Sequence, residues 1–209
     1  GLHMAAVSHD LRTPLTRLRM RLARWPDEAE RRAADADIHE MDALIGDTLA
    51  VLREQHDGSQ ARPIAVAPFL QALTDDLSDQ GQAVSCELPP AEWRVSAHPV
   101  ALRRILSNLV NNALRHAGSA HLHASTQGAW VFFDVDDEGT GIPPEQMAQA
   151  FEPWVRLSNS SIANPSRAGH GLGLAIARDL ALRDGGYVSL ENRPSGGLRA
   201  RLALPMYAG

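Results

Sequence analysis

Lysine is missing from this chain: all 20 basic residues are arginine. That excludes a Walker A lysine, a Schiff-base lysine and the strand lysine of protein kinases. Cysteine occurs once, as Cys86, so no internal disulfide can form, and a reducing compartment fits. No apolar run approaches the roughly 20 residues that span a bilayer. No signal peptide is visible. Gly1-Leu2-His3-Met4 reads as a cloning remnant, so any membrane segment of the parent protein is expected to lie outside this fragment. Positive charge is in the minority, with a net charge of −5. That argues against a protein that grips nucleic acid by bulk charge. What is present is an ordinary globular balance, 44% hydrophobic and 22% charged, which excludes a disordered tail or a fibre. A length of 209 residues suggests one large domain or two small ones, at roughly 100–200 residues each.

The first part is patterned as helix. Leu11, Leu15, Leu18 and Leu22 recur at steps of four, three and four, and Ile38, Met41, Ile45, Thr48 and Leu52 repeat the pattern. That is the seam of a coiled coil or helical bundle. Trp25-Pro26-Asp27-Glu28 breaks the run, because Pro26 disfavours helix at Trp25. The expectation is a helical hairpin over residues 5–25 and 28–56. Two helices give each other little cover; the alternative is a pair packed on the chain's own C-terminal domain, but both seams are long and regular, so the hairpin is expected to dimerise into a four-helix bundle. Asp57-Gly58-Ser59-Gln60 is linker-like.

A different texture follows. Strands are predicted at Ile64–Val66, Ala83–Leu88 and Trp93–Ser96, and helices at Ala67–Gln80 and Pro99–Ala117. His121–Thr126 and Trp130–Asp136 alternate like a hairpin that turns at Gln127-Gly128. Pro143–Phe151 is predicted as a short helix, and the polar stretch 158–171 as a long loop. Leu172–Arg183 is predicted as a helix stopped by Gly185-Gly186, and Tyr187–Asn192 with Leu198–Leu204 as a final hairpin. This second part is expected to be α+β, with helices on one face of a mixed sheet.

Four clusters carry candidate chemistry. In Val7-Ser8-His9-Asp10-Leu11-Arg12-Thr13-Pro14, His9 sits two positions before Leu11, off the seam. A neutral imidazole is a nucleophile near pH 7, and the Asp10 carboxylate can hold its other nitrogen. Thr13 lies one turn later on the same face, and Pro14 should bend the helix. In Asn108-Leu109-Val110-Asn111-Asn112, Asn108 and Asn112 share a helix face. Amide oxygens suit Mg²⁺, and Arg115, one turn on, can meet a phosphate. In Asp137-Glu138-Gly139-Thr140-Gly141, an Asp at a strand end can accept a hydrogen bond from an exocyclic amine, while the glycines let the backbone approach a ligand. In Gly169-His170-Gly171-Leu172-Gly173-Leu174, glycines open a helix whose free N–H groups suit an anion. Taken singly, each has a plain alternative: a solvated histidine, a polar helix face, an ordinary turn, a glycine-rich turn.

Together, in this order and spacing, the clusters make the chain resemble the cytoplasmic core of a sensor histidine kinase of a two-component system, of the osmosensor type. Phe151-Glu152-Pro153-Trp154-Val155-Arg156 adds a fifth matching segment. The resemblance covers nearly the whole chain, from Ala5 to Pro205. It implies residues 1–57 as a dimerisation and phosphotransfer hairpin, and residues 63–209 as an α/β-sandwich ATP-binding domain of the histidine kinase, Hsp90 and gyrase type. It implies His9 as phosphoacceptor, Asp10 as its orienting acid, and Thr13 as the residue that positions water for regulator dephosphorylation. Asn112, with Asn108, is implied to ligate Mg²⁺. Asp137 is implied to bind the adenine amine, with Gly139 and Gly141 lining the base pocket. Arg115, Arg156, His170, Gly171, Leu172 and Gly173 are implied to line the nucleotide site. His116 also belongs there, although the family often has Tyr or Phe at that place. The implied partners are a second copy of the chain and the receiver domain of a response regulator, with no direct nucleic acid. The implied location is the cytoplasmic portion of a bacterial inner-membrane protein.

Two rivals stay open on sequence. One is a degenerate module that dimerises and docks a regulator without chemistry, against which the retained His9, Asn112, Asp137 and loop glycines speak. The other is an ATPase of the Hsp90 and gyrase kind, which uses a carboxylate near the second cluster. Here Ser107 precedes Asn108 and Arg104 lies one turn back. His121 and His123 alternate on one strand face, where a solvated face is favoured over a metal site because no Cys or carboxylate completes a set nearby in sequence.

Overall fold

In the computed structural model, the described residues are 60–89, 93–152 and 173–207, with scattered positions from Thr16 to Met41. The chain divides into two compact units, Gly1–Ser59 with Ser161–Gly169, and Gln60–Ser160 with His170–Gly209. In the first, the described positions are helical apart from Pro26 and Asp27, where the sequence places the break. Asp27 caps the helix that follows. Its carboxylate Oδ1 accepts from the Glu30 N–H at 3.0 Å, and its carbonyl accepts from the Arg31 N–H at 3.0 Å. A side-chain acceptor at this position satisfies a donor that the first turn cannot pair itself.

The second unit runs β1 (Arg62–Ala65), α1 (Val66–Asp79), β2 (Val84–Glu87), β3 (Arg94–Ala97), α2 (Pro99–Ala117), β4 (Ala120–Gln127), β5 (Trp130–Asp136), α3 (Gly173–Arg183), β6 (Tyr187–Asn192) and β7 (Leu198–Pro205). Five strands form a mixed sheet in the order β2-β4-β5-β7-β6, parallel only between β2 and β4. β1 and β3 make a separate antiparallel pair. The expected mixed sheet with helices on one face is therefore present.

Side-chain alternation assigns the two faces of the sheet. Leu122, Val131, Phe133, Val135, Leu202 and Leu204 are at most 1% exposed. They meet Leu70 and Leu73 of α1, Leu102, Ile105, Leu106 and Leu109 of α2, and Ala177 and Ala181 of α3 in one core. Burying each large apolar side chain contributes about 1.5–3 kcal/mol. The opposite face carries ions. Arg199 pairs with Asp136 through Nε and Nη2, both at 2.7 Å, and Arg201 pairs with Asp134 at 2.7 and 2.8 Å. Registry places each pair directly cross-strand, and each carboxylate is held by two charge-assisted bonds.

Two features set the helices relative to each other. The buried Asp184 carboxylate accepts from the His98 N–H at 3.0 Å and lies 2.6 Å from His98 Nδ1, tying the end of α3 to the start of α2. α3 then stops in a Schellman turn. Gly185 adopts φ +74°, and the Gly186 N–H donates to the Ala181 carbonyl at 2.8 Å. α2 ends similarly on Gly118.

The structure corrects three boundaries. Pro143–Phe151 is not one helix but two 3₁₀ turns, Pro144–Gln146 and Gln149–Phe151. Pro143 and Pro144 bring no N–H, and the bonds that form are short-range, such as Gln146 N–H to the Pro143 carbonyl at 2.9 Å. The first strand starts earlier than predicted and Val66 opens α1, its N–H spent on the Trp93 carbonyl at 2.9 Å. The last strand runs on to Pro205. Among the described residues, no helix is long and apolar enough to cross a membrane.

Candidate active site

The second and third clusters and the end of the fourth converge. α2 carries Asn108, Asn112, Arg115 and His116 along its second half. Asn108 and Asn112 are half-buried, whereas Asn111, turned about 100° away, is exposed. The Asn108 Nδ2 group is buried and has no hydrogen-bond partner. Buried amide donors are nearly always paired, so this one is a candidate to meet an acceptor on a ligand. Gly173, the first residue of α3, faces it: a Cβ built there would lie 3.7 Å from Asn108 Cγ.

Asp137 follows the last residue of β5 and is 5% exposed. Its Oδ1 accepts from the Gly139 N–H at 2.8 Å and from the Leu198 N–H at 3.0 Å. Both bonds fall on one oxygen, which leaves Oδ2 with unused acceptor capacity. Asp134 and Asp136, close by in sequence, are committed to the arginines of the opposite sheet face. Burial pushes the Asp136 carboxyl up, but the Arg199 bonds and the charges of Arg199, Arg193 and His123 hold it below its ordinary value. Among these three acids, Asp137 is the one turned toward the glycine loop.

That loop lies against the end of α2. A Cβ at Gly139 would sit 3.5 Å from Ala117 Cβ and 3.6 Å from the His116 carbonyl oxygen. Gly141 has φ +71° and no space for a side chain against Asn192 Oδ1, so glycine is required there. His116 beside it is held below its ordinary pKa by partial desolvation and by Arg115, against the pull of Asp137. A neutral ring is thus favoured next to the loop.

His9, Asp10, Thr13, Arg156, His170, Gly171 and Leu172 lie outside the described residues, as does the predicted loop 158–171. Asn192, Arg193 and Leu198 were not singled out by the sequence. Asn192-Arg193-Pro194-Ser195-Gly196-Gly197 reads simply as the turn of the final hairpin. His121 and His123 lie on the outer face: His121 Nδ1 is 2.9 Å from Ser85 Oγ, and His123 Nε2 is 3.4 Å from Asp134 Oδ2. Among the described residues, no group of three or more His, Cys, Asp or Glu is placed to hold a metal ion. Cys86 is half-buried on the edge strand β2, and burial pushes its thiol pKa up.

Residues 97–208 match the family described as histidine kinase-, DNA gyrase B-, and HSP90-like ATPase. The chain belongs to this family. Within this ATPase family its relatives are sensor histidine kinases. GtrS of Pseudomonas aeruginosa is 36% identical over 98% of this chain and 42% of its own length. CpxA of Escherichia coli is 30% identical over 98% of this chain and 46% of its own. RstB of Escherichia coli is 34% identical over 96% and 48%. The chain therefore spans less than half the length of these curated relatives. Among solved structures, the kinase domain of the Escherichia coli osmosensor EnvZ is 28% identical, with a TM-score of 0.55 over 72% of this chain and 91% of that one. The ATP-binding domain of PrrB from Mycobacterium tuberculosis is 28% identical, with a TM-score of 0.57 over 71% and 99%. Full-length ShkA, solved with AMPPNP, is 26% identical, with a TM-score of 0.63 over 99% and 46%. The resemblance to osmosensor-type histidine kinases thus holds, and the second unit is an ATP-binding domain of the histidine-kinase type.

Proposed function

We propose that the chain is the catalytic core of a dimeric protein-histidine kinase, which phosphorylates His9 from ATP and passes the phosphoryl group to an Asp of a response-regulator receiver domain. The observation that carries this is a pair of unspent polar groups in the segments that the loop and helix bring together: Asp137 with its Oδ2 to spare, and the buried, unpaired Nδ2 of Asn108. ATP presents the exocyclic amine of its adenine to the first and phosphate oxygens to the second. The residues also fit a hard divalent cation, since carboxamide oxygens of Asn108 and Asn112 lie on one helix face. Bound Mg²⁺ offsets the charge of the phosphates.

The chain's own residues then divide the work. Asp137 receives the adenine amine, with Gly139 and Gly141 as the wall of the base pocket and His116 beside them. Arg115, Arg156, His170, Gly171, Leu172 and Gly173 contact the phosphate end. The lone pair of the neutral His9 imidazole attacks the γ-phosphorus in line, the bond to the ADP oxygen breaks, and Asp10 steadies the positive ring and accepts its proton. Thr13 holds water for the reverse duty, dephosphorylation of the regulator. Residues 1–57 form the dimerisation and phosphotransfer hairpin and 63–209 the catalytic domain. Leu18 and Met41, on the predicted seams, are 45% and 44% exposed in the single chain, which supports a second copy covering them in a four-helix bundle. The whole protein is a bacterial inner-membrane sensor whose membrane segments lie outside this sequence.

Incubation with γ-labelled ATP tests the proposal. The expected result is acid-labile, base-stable label on the native chain and none on His9→Gln, which still binds ATP. Label that survives in His9→Gln, or loss of ATP binding in that variant, would overturn the assignment.

A further inference from the structure

Both ends of the glycine loop 137–142 are fastened to the same short stretch of chain, residues 192–198, some 50 positions downstream. At the far end the Asn192 carboxamide acts as a backbone mimic. Its Oδ1 accepts from the Ile142 N–H at 2.9 Å and its Nδ2 donates to the Ile142 carbonyl at 2.7 Å. At the near end the Arg193 Nη1 group donates to the Asp137 carbonyl at 2.7 Å. Leu198 exchanges bonds with Asp137, its carbonyl accepting from the Asp137 N–H at 2.9 Å and its N–H donating to Oδ1 at 3.0 Å. Asn192 and Leu198 are themselves the cross-strand pair that closes the β6–β7 hairpin.

The loop has little to hold it from within. Among the described residues, its one internal hydrogen bond is Gly139 N–H to Asp137 Oδ1. Two of its six residues are glycines, which lose the most conformational freedom on ordering. A carboxylate selects an amine only when distance and angle are both held, since hydrogen bonds weaken steeply off-line. The order needed for that selection is therefore imported from the hairpin.

We infer that Asn192 is a positioning residue for base recognition: by clamping Ile142 it fixes the loop wall against which Asp137 selects the 6-amino group of adenine. The inference rests on the ATP-binding reading given above and deepens it. Asn192 does not touch the nucleotide; it acts through Ile142 and Gly141.

The test compares ATP with inosine triphosphate, which lacks the 6-amino group, on the full chain. The native chain is expected to prefer ATP. In Asn192→Ala the preference should fall about threefold to tenfold, because two loop-ordering hydrogen bonds are lost, while inosine triphosphate binding changes by no more than about twofold because phosphate contacts remain. Asn192→Asp keeps the acceptor for the Ile142 N–H but sets a carboxylate oxygen against the Ile142 carbonyl, so its preference should fall at least as far as that of Asn192→Ala. It also decides the matter if Asn192→Ala does not fold. Parallel weakening of both nucleotides in both variants would make Asn192 a merely structural residue and overturn the inference. So would an unchanged ratio in the folded variants. Failure of the native chain to bind ATP at all would instead sink the underlying function, and this inference with it.

Discussion

At the scale of single residues, Asp137 and His116 make opposite demands on protons, and each can be tested alone. In Asp137→Asn the carboxamide oxygen can keep the bonds from Gly139 and Leu198, now with an NH₂ where Oδ2 stood. The fold should lose little, because the buried amides stay paired. The vacant acceptor becomes a donor, which repels an adenine amine, so ATP affinity should fall about tenfold to a hundredfold. Nucleotide titration beside a thermal melt reads both; a variant that melts early and binds normally would contradict the assignment. His116 is held below the ordinary value of 6.5. The unfolded chain therefore binds more protons than the folded one in the interval between the folded value and 6.5, and stability rises with pH across it. Native chain should lose stability relative to His116→Asn, which cannot titrate, as pH falls below 6.5. Denaturant midpoints of the two proteins from about pH 5 to about pH 7 measure this. Asp137 and Asn108 were legible in the sequence because each stands in a local pattern, an acid before glycines and a pair of amides one turn apart. Asn192 was not, because its function is a hydrogen bond to a backbone 50 residues away, and no local spacing encodes that.

At the scale of elements, α2 and the β4–β5 hairpin could be read directly. Period 3.6 places Leu102, Ile105, Leu106 and Leu109 on one buried stripe, and in β5 Val131, Phe133 and Val135 take one face while Asp134 and Asp136 take the other, opposite β7. Pro143–Phe151 misled because its spacing is helical while two successive prolines remove the donors a helix needs; the chain takes two 3₁₀ turns instead. The ionic face of the sheet was also hidden. Asp134, Asp136, Arg199 and Arg201 look like solvated polar positions until cross-strand register pairs them. The helix-face argument gives a test at this scale. Asn112 is half-buried on the face shared with Asn108, and Asn111 is exposed. Asn112→Ala should cut autophosphorylation at least about tenfold, as expected for loss of a metal-ligating or phosphate-side group, with Asn111→Ala within about twofold of native, as for most exposed substitutions. Initial rates of γ-label incorporation compare them, and equal loss at both positions would break the argument.

At the scale of the whole molecule, the proposed nucleotide site and the proposed phosphoacceptor segment belong to different parts of the chain, so the two activities proposed for His9 and Thr13 are open to separation by mutation. His9 and Thr13 lie four positions apart in sequence, one turn on a helix. Attack on ATP needs a lone pair on the imidazole and a carboxylate to steady the developing charge, a demand that falls on Asp10. Dephosphorylation of a regulator needs a water held beside a phosphoaspartate, and one hydroxyl can hold it. Asp10→Asn should therefore lower autophosphorylation by about a hundredfold or more, the usual weight of a positioned acid–base group. Thr13→Ala should keep autophosphorylation and transfer but lose most regulator dephosphorylation. The decay of phosphorylated regulator, followed with each variant beside its rate of self-labelling, separates the two. A parallel decline of both activities in Thr13→Ala would mean that the residue supports the helix next to Pro14 rather than the water. The two duties would then depend on one shared geometry.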